Sequence, residues 1–196
     1  MAGNPERRAA LVDAGVELLA REGARGLTFR AVDAEAGVPV GTASNYFTDR
    51  EDLLRQIDAR LHTRLAPDPE ALAGLLARPK DRSLVTAFMH DLMGRATRDR
   101  TGYLALLEMR LEASRRPELR ASFTKSVRGD LDEALGFHRS AGLPGGDEVV
   151  TVLYLAMLGL LLEHLTLPDV LDGVLPRVSV PDGLVERITA TVVPEA

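Results

Sequence analysis

The chain has 196 residues, no cysteine, 45% hydrophobic and 27% charged residues, and a formal net charge of −5. That composition belongs to an ordinary folded protein, either one large domain or a small module joined to a larger one, and it excludes a disordered polypeptide. The missing cysteines exclude disulfides and thiolate metal sites and fit a reducing cytoplasm, and the opening MAGNPERRAALVDAG lacks the apolar core of a signal peptide.

In chain order, Asn4 is a good N-cap, Pro5 suits the first helical position and Glu6 favours the positive end of a helix dipole. Leu11, Ala14, Leu18 and Leu19 then recur at helical spacing, and Gly23 follows as a stop. Thr28 caps a second helix that turns Phe29, Val32 and Ala36 inward, and Gly37 supplies the positive φ of a sharp turn. A third helix is expected from about Pro39 to Tyr46. Thr48-Asp49-Arg50-Glu51 reads as a capping box in which Thr48 caps and Glu51 reaches back. A fourth helix follows, with Leu53, Leu54, Ile57 and Leu61 on one side.

Ala66-Pro67-Asp68-Pro69 cannot continue a helix and marks the domain boundary, giving domains at 4–64 and 66–196. Beyond it the pattern predicts helices near 70–77, 83–99, 102–115, 118–141, 147–167 and 182–192. The only strand-like alternation, Arg177 to Val180, is too short to form a sheet, so the fold class is all-α.

The run Val149 to Leu162 carries no charge. A membrane span needs about 20 apolar residues and Glu163-His164 interrupts this one, so no membrane is expected. A helix apolar nearly all round is buried on most sides, within the domain or against a second copy of the chain. Leu155, Leu158 and Leu162 are the candidate dimer contacts, with the helix at 182–192 beside them in a four-helix interface.

The stretch Thr28 to Leu54 has the layout of a helix-turn-helix whose second helix can lie in the DNA major groove. The slim turn Pro39-Val40-Gly41-Thr42 allows close approach to bases, the Thr42 hydroxyl can donate to a phosphate, and Asn45 can pair with an adenine edge. Tyr46 can lie along the sugar-phosphate backbone, with Arg30 and Arg50 on the flanking helices reaching base or phosphate. Taken singly, the threonines read as caps, the arginines as solvated charges and Tyr46 as packing; only their joint placement points to DNA. Residues 1–64 hold nine arginines against ten acids, so non-specific binding is expected to be weak.

Residues 4–64 resemble the DNA-binding domain of the TetR family of bacterial transcriptional regulators, with the helix-turn-helix at about 27–46. The resemblance rests on Thr28-Phe29-Arg30, Ala36-Gly37-Val38, Tyr46-Phe47 and Glu51-Asp52-Leu53-Leu54. It implies that Thr28, Arg30, Thr42, Tyr46 and Arg50 touch DNA and that Pro39, Val40, Gly41 and Asn45 choose sequence. The chain departs from the family pattern at Ala43-Ser44, where Leu-Tyr is common, and at Thr48, where a basic residue is usual.

The resemblance also implies a three-helix reader followed by a helical ligand-binding and dimerisation bundle. The protein is then a homodimer on a palindromic double-stranded operator, a repressor released by a small-molecule effector that tilts the helix at 50–65. The large adaptable side chains Phe88, Met89, Met93, Tyr103, Met109, Phe123, Phe137, Tyr154 and Met157 are the pocket candidates, although such residues at helical spacing are core more often than pocket. Two alternatives stand: a helical enzyme or carrier keeping the helix-turn-helix as a structural module, and a DNA-binding protein without an effector. The sequence offers no catalytic grouping, no cofactor motif and no metal-ligand spacing among His62, His90, His138 and His164.

Overall fold

The computed structural model describes residues 4–171, 173–175 and 177–195, and among these every regular element is helical. The helices are α1 (Pro5–Gly26), α2 (Phe29–Glu35), α3 (Arg50–Arg64), α4 (Pro69–Leu76), α5 (Arg82–Arg98), α6 (Arg100–Arg115), α7 (Pro117–Ser140), α8 (Asp147–Thr166) and α9 (Asp182–Val192). Single 3₁₀ turns occur at Ala43–Asn45 and Pro168–Leu171. Arg177 to Val180 is turn and bend, not strand.

The chain packs as two units. One holds the described residues up to Ala66 together with Asp99–Val127; the other holds Pro67–Arg98 and the described residues from Arg128 onward. The segment 99–127 packs with the N-terminal unit. The cause is visible in α6, where Ala105, Met109 and Ala113 form an i, i+4, i+8 stripe buried in one apolar cluster with Leu11, Leu18 and Leu19 of α1 and Leu54 and Ile57 of α3.

In the first unit, the Asn4 side chain caps α1 by accepting the amides of Glu6 and Arg7 at 2.9 and 3.3 Å. Gly23 breaks α1 with φ 67° and ψ −177°. Gly15 lets α3 cross closely, since a Cβ there would stand 2.8 Å from the Ile57 Cδ1. Two ion pairs fix the crossing at its rim, Arg60 with Asp13 (2.7 Å) and Arg64 with Glu17 (3.4 Å), and Arg64 also ties α3 to the start of α6 through Asp99 (2.5 Å).

The cap of α3 differs from the sequence expectation by one residue. Asp49, in extended backbone, accepts the Asp52 amide at 2.7 Å, and Asp52 returns the contact by accepting the Thr48 amide at 3.1 Å. The capping box is therefore Asp49 with Asp52. A carboxylate is a stronger acceptor than the Thr48 hydroxyl at the positive end of a helix.

In the second unit, Leu84 and Val85 of α5 are buried with Val149 and Leu153 of α8, with Leu143 of the turn before it, and with Val193. Phe88 and Phe137 meet edge to face at 5.5 Å in that cluster, and the Thr86 hydroxyl donates to Thr189 at 2.9 Å, tying α5 to α9. Helix α8 buries one stripe, Val149, Leu153, Met157, Leu160 and Leu165, and leaves Val152, Leu155 and Leu162 exposed. Burial on most sides, expected from its sequence, is thus met on one face within a single chain.

Candidate nucleic-acid interface

The proposed reader is built from α2, the segment 38–47 and the start of α3. Thr28 caps α2 as expected, its hydroxyl oxygen accepting the Ala31 amide at 3.1 Å while its hydrogen stays free to donate. Gly37 takes φ 64°, which only glycine adopts without strain, and turns the chain out of α2.

The third helix expected over Pro39 to Tyr46 is not formed as such. Only one 3₁₀ turn, Ala43–Asn45, is present. Gly41 sits at φ 91°, outside helical backbone, and several side chains capture the groups a helix ladder would use. Thr42 donates its hydroxyl to the Pro39 carbonyl at 2.5 Å, and Ser44 donates to the Gly41 carbonyl at 2.7 Å, where the Asn45 amide also donates at 3.1 Å. This is the competition between short polar side chains and helical hydrogen bonds.

What holds the segment is Asp33, a residue sequence reasoning passed over. Its side chain is buried on α2, and its two oxygens accept the amides of Gly41 and Ala43, both at 2.7 Å. Beneath it Ala43 and Phe47, four residues apart, are buried, and the Phe47 ring lies 6.2 Å from that of Phe29. With the inner side anchored, Pro39, Val40, Gly41, Ser44 and Asn45 are exposed, as are Thr28 and Arg30. Val40 is 78% exposed, the largest exposure among the exposed large hydrophobics.

Of the nine expected DNA contacts, eight lie on or beside this outward surface. Thr28 and Arg30 are exposed at the start of α2, and the Arg30 side chain makes no hydrogen bond or ion pair among the described residues. Thr42 is half-buried with its hydrogen given to Pro39, so it is left as an acceptor and not the phosphate donor first expected. Tyr46 is half-buried, with the Arg8 guanidinium 5.6 Å from its ring centre; Arg8 is held in turn by Gln56 at 2.9 Å.

Arg50 is the exception. Its guanidinium donates to the carbonyls of Ala24 and Leu27 and pairs with Glu112 of α6 at 3.0 Å. It satisfies carbonyls at the end of α1 instead of offering a charge to phosphate. Glu112 is the hub of that cluster, also 2.6 Å from Arg116, which pairs with Glu51 as well. Burial alone would raise the Glu112 carboxyl, but the hydrogen bond and charge of Arg50 and the charge of Arg116 outweigh it and hold it below its ordinary value.

The pocket candidates divide between the units. Tyr103, Met109 and Phe123 lie in the first, Met109 and Phe123 within the cluster around α1. Phe88, Met89, Met93, Phe137, Tyr154 and Met157 lie in the second. The nine residues therefore do not share one core.

An outward segment with a methyl-rich tip, a free amide oxygen and an unpaired guanidinium can contact both base edges and backbone of a duplex. Comparison with known proteins settles what it belongs to. A family model described as bacterial regulatory proteins, tetR family, matches residues 11–57, and one described as tetracyclin repressor-like, C-terminal domain, matches residues 80–193. The chain belongs to the TetR family. This TetR-family protein is a DNA-binding transcriptional regulator, with an N-terminal helix-turn-helix and a C-terminal helical domain.

The structure of a TetR-family member from Streptomyces coelicolor matches with a TM-score of 0.70 and 25% identity, over 97% of this chain and 99% of that one. The fatty acid degradation regulator FadR from Bacillus halodurans shares the fold with a TM-score of 0.72 at 15% identity, over 98% and 96% of the two chains. The multidrug binding protein EbrR, complexed with malachite green, shares it with a TM-score of 0.69 at 24% identity, over 97% and 99%. No curated protein matches the chain.

Proposed function

We propose that this TetR-family regulator works in the cytoplasm as a homodimer on a palindromic operator, as a repressor that a small-molecule effector releases. The observation that carries the dimer is the outward stripe of α8. Val152, Leu155 and Leu162 are exposed with Gly159 between them, at i, i+3, i+7 and i+10 along one helix face. Leu158, the third candidate contact, is half-buried at its edge. The helix is long and apolar enough to cross a membrane, with a mean hydropathy of 1.8, but a second copy of the same stripe covers it equally well and matches the two-fold symmetry of a palindrome.

The effector site is assigned to the second unit, where Phe88, Met89, Met93, Phe137, Tyr154 and Met157 supply apolar and polarizable surface. The relatives that bind dyes and drugs set the precedent: EbrR structures hold ethidium, proflavin and malachite green. The DNA contacts are Thr28, Arg30 and Tyr46 to backbone and Pro39, Val40, Gly41 and Asn45 to bases. Selection of operators from a random duplex pool, followed by sedimentation of the complex, tests the reading. A symmetric site bound by two chains supports it; an asymmetric site bound by one chain overturns it. An effector found by thermal shift must weaken operator binding and be weakened by operator to the same extent, typically by ~5–150-fold.

A further inference from the structure

A near-neutral reader must take its phosphate-binding charge from a few arginines, and the ion pairs show which remain available. Of the nine arginines in residues 1–64, Arg21, Arg50, Arg55, Arg60 and Arg64 pair with acids, and Arg8 is held by Gln56. The side chains of Arg7, Arg25 and Arg30 make no hydrogen bond or ion pair among the described residues. Arg30 lies on the outward surface already described. Arg25 does not: it lines an open cleft of about 720 Å³ on the flank of the first unit, with Leu27, Thr28, Arg50, Arg115 and Arg116.

The cleft is cationic for a structural reason. Glu112 in its wall and Glu51, the ion-pair partner of Arg116, compensate Arg50 and Arg116, which are fixed in place by them. Arg115 makes only a long ion pair, 3.8 Å to the second Glu112 oxygen, and its side chain is 64% exposed. Two exposed guanidiniums, Arg25 and Arg115, thus line a cleft in which the remaining charges cancel. Thr28, a proposed backbone contact of the reader, forms part of the same wall, and its hydroxyl hydrogen is uncommitted.

We propose that this cleft is a second seat for the DNA backbone, in which Arg25 and Arg115 bind phosphodiester oxygens beside the helix-turn-helix. It rests on the DNA-binding reading and extends the contact surface beyond it to α6. An open cleft suits a continuous strand, and guanidiniums match the paired oxygens of a phosphodiester. The seat adds affinity without sequence preference, because it meets no base.

The test is fluorescence anisotropy of a labelled random-sequence 24-bp duplex across a potassium chloride series, with the folded state of each variant checked by thermal melting. Each arginine that neutralises a phosphate contributes about one unit to the salt slope per protomer and, at 0.1 M salt, roughly five- to tenfold in affinity. The double variant Arg25→Ala/Arg115→Ala is expected to lose about two units of slope, Arg25→Lys/Arg115→Lys to keep the slope, and Arg120→Ala, exposed on α7 outside the cleft, to leave binding unchanged. A double variant with wild-type slope and affinity overturns the seat and leaves the reader intact. Equal loss in Arg120→Ala also overturns it, since net charge would then account for the effect. Wild-type protein that binds no duplex at any salt contradicts the DNA-binding reading itself.

Discussion

The buried carboxylate of Asp33 accepts the Ala43 amide at 2.7 Å across ten residues of sequence, with the Gly41 amide on its other oxygen. One side chain on α2 therefore shapes the segment offered to DNA. Asp33→Ala leaves two amides without partners, which is expected to cost about 2 kcal/mol of stability and to abolish operator binding at temperatures where the variant stays folded. Asp33→Asn keeps one acceptor and is expected to fall between. Urea unfolding alongside operator titration checks both.

Arg50 illustrates how a charge at the expected position can serve the fold. Arg50→Ala is expected to destabilise the protein by about 2 kcal/mol, by freeing two carbonyls and half-unpairing Glu112, with the DNA salt slope unchanged. Arg30→Ala is expected to do the reverse: unchanged melting, and a slope shallower by about one per protomer. A lost slope in Arg50→Ala at unchanged stability would return Arg50 to the DNA contacts.

The same cluster sets an acid limit. Glu112 is lowered in the folded state against about 4.3 for a free glutamate, so it adds stability above that value and loses it as pH falls through the lowered folded value. Glu112→Gln is therefore expected to be less stable at neutral pH and to show a flatter decline in melting temperature below about pH 4. A wild-type and variant difference that stays constant from neutral to acid pH would contradict this.

Asp58 on α3 works in the opposite sense. Burial raises its carboxyl, against the hydrogen bond from Ser126 at 2.7 Å and the nearby His62, and its other oxygen has no hydrogen-bond partner among the described residues. A raised folded value means stability is favoured below the unfolded value of about 3.9 and lost as pH rises through the folded one. Asp58→Asn keeps an acceptor for Ser126 and removes the buried charge. It is expected to stabilise the protein by about 1 kcal/mol at pH 7, with the gain vanishing in acid.

Leu155 is 60% exposed in the single chain, so an arginine there costs the isolated fold little but breaks an apolar seam. Leu155→Arg is expected to sediment as a folded monomer and to bind an operator half-site only weakly. A wild-type monomer at micromolar concentration would rule the seam out.

The helices and most of their ends were legible because local signals specify them: Asn4 and Thr28 cap where their side chains allow, and Gly23 and Gly37 break where positive φ is needed. The recognition segment was legible as a position but not as a conformation. Its shape depends on Asp33, and nothing local to Pro39–Tyr46 announces a partner on another helix. The partners of Arg50 were not legible for the same reason, since its acceptors, at Ala24, Leu27 and Glu112, are distant in sequence. The segment 99–127 carried an apolar stripe whose helical period was plain, yet a stripe does not say which core receives it.

In the proposed mode of binding, the outward residues of the 39–46 segment read base sequence. The direct measurement is the base-preference profile from random-duplex selection, taken at one fixed salt concentration for the wild type, Val40→Ala and Asn45→Ala. A defined wild-type site is expected, with a change confined to one or two positions per half-site in each variant and a loss of about 1–3 kcal/mol for the preferred base. Profiles identical across all three proteins would contradict it.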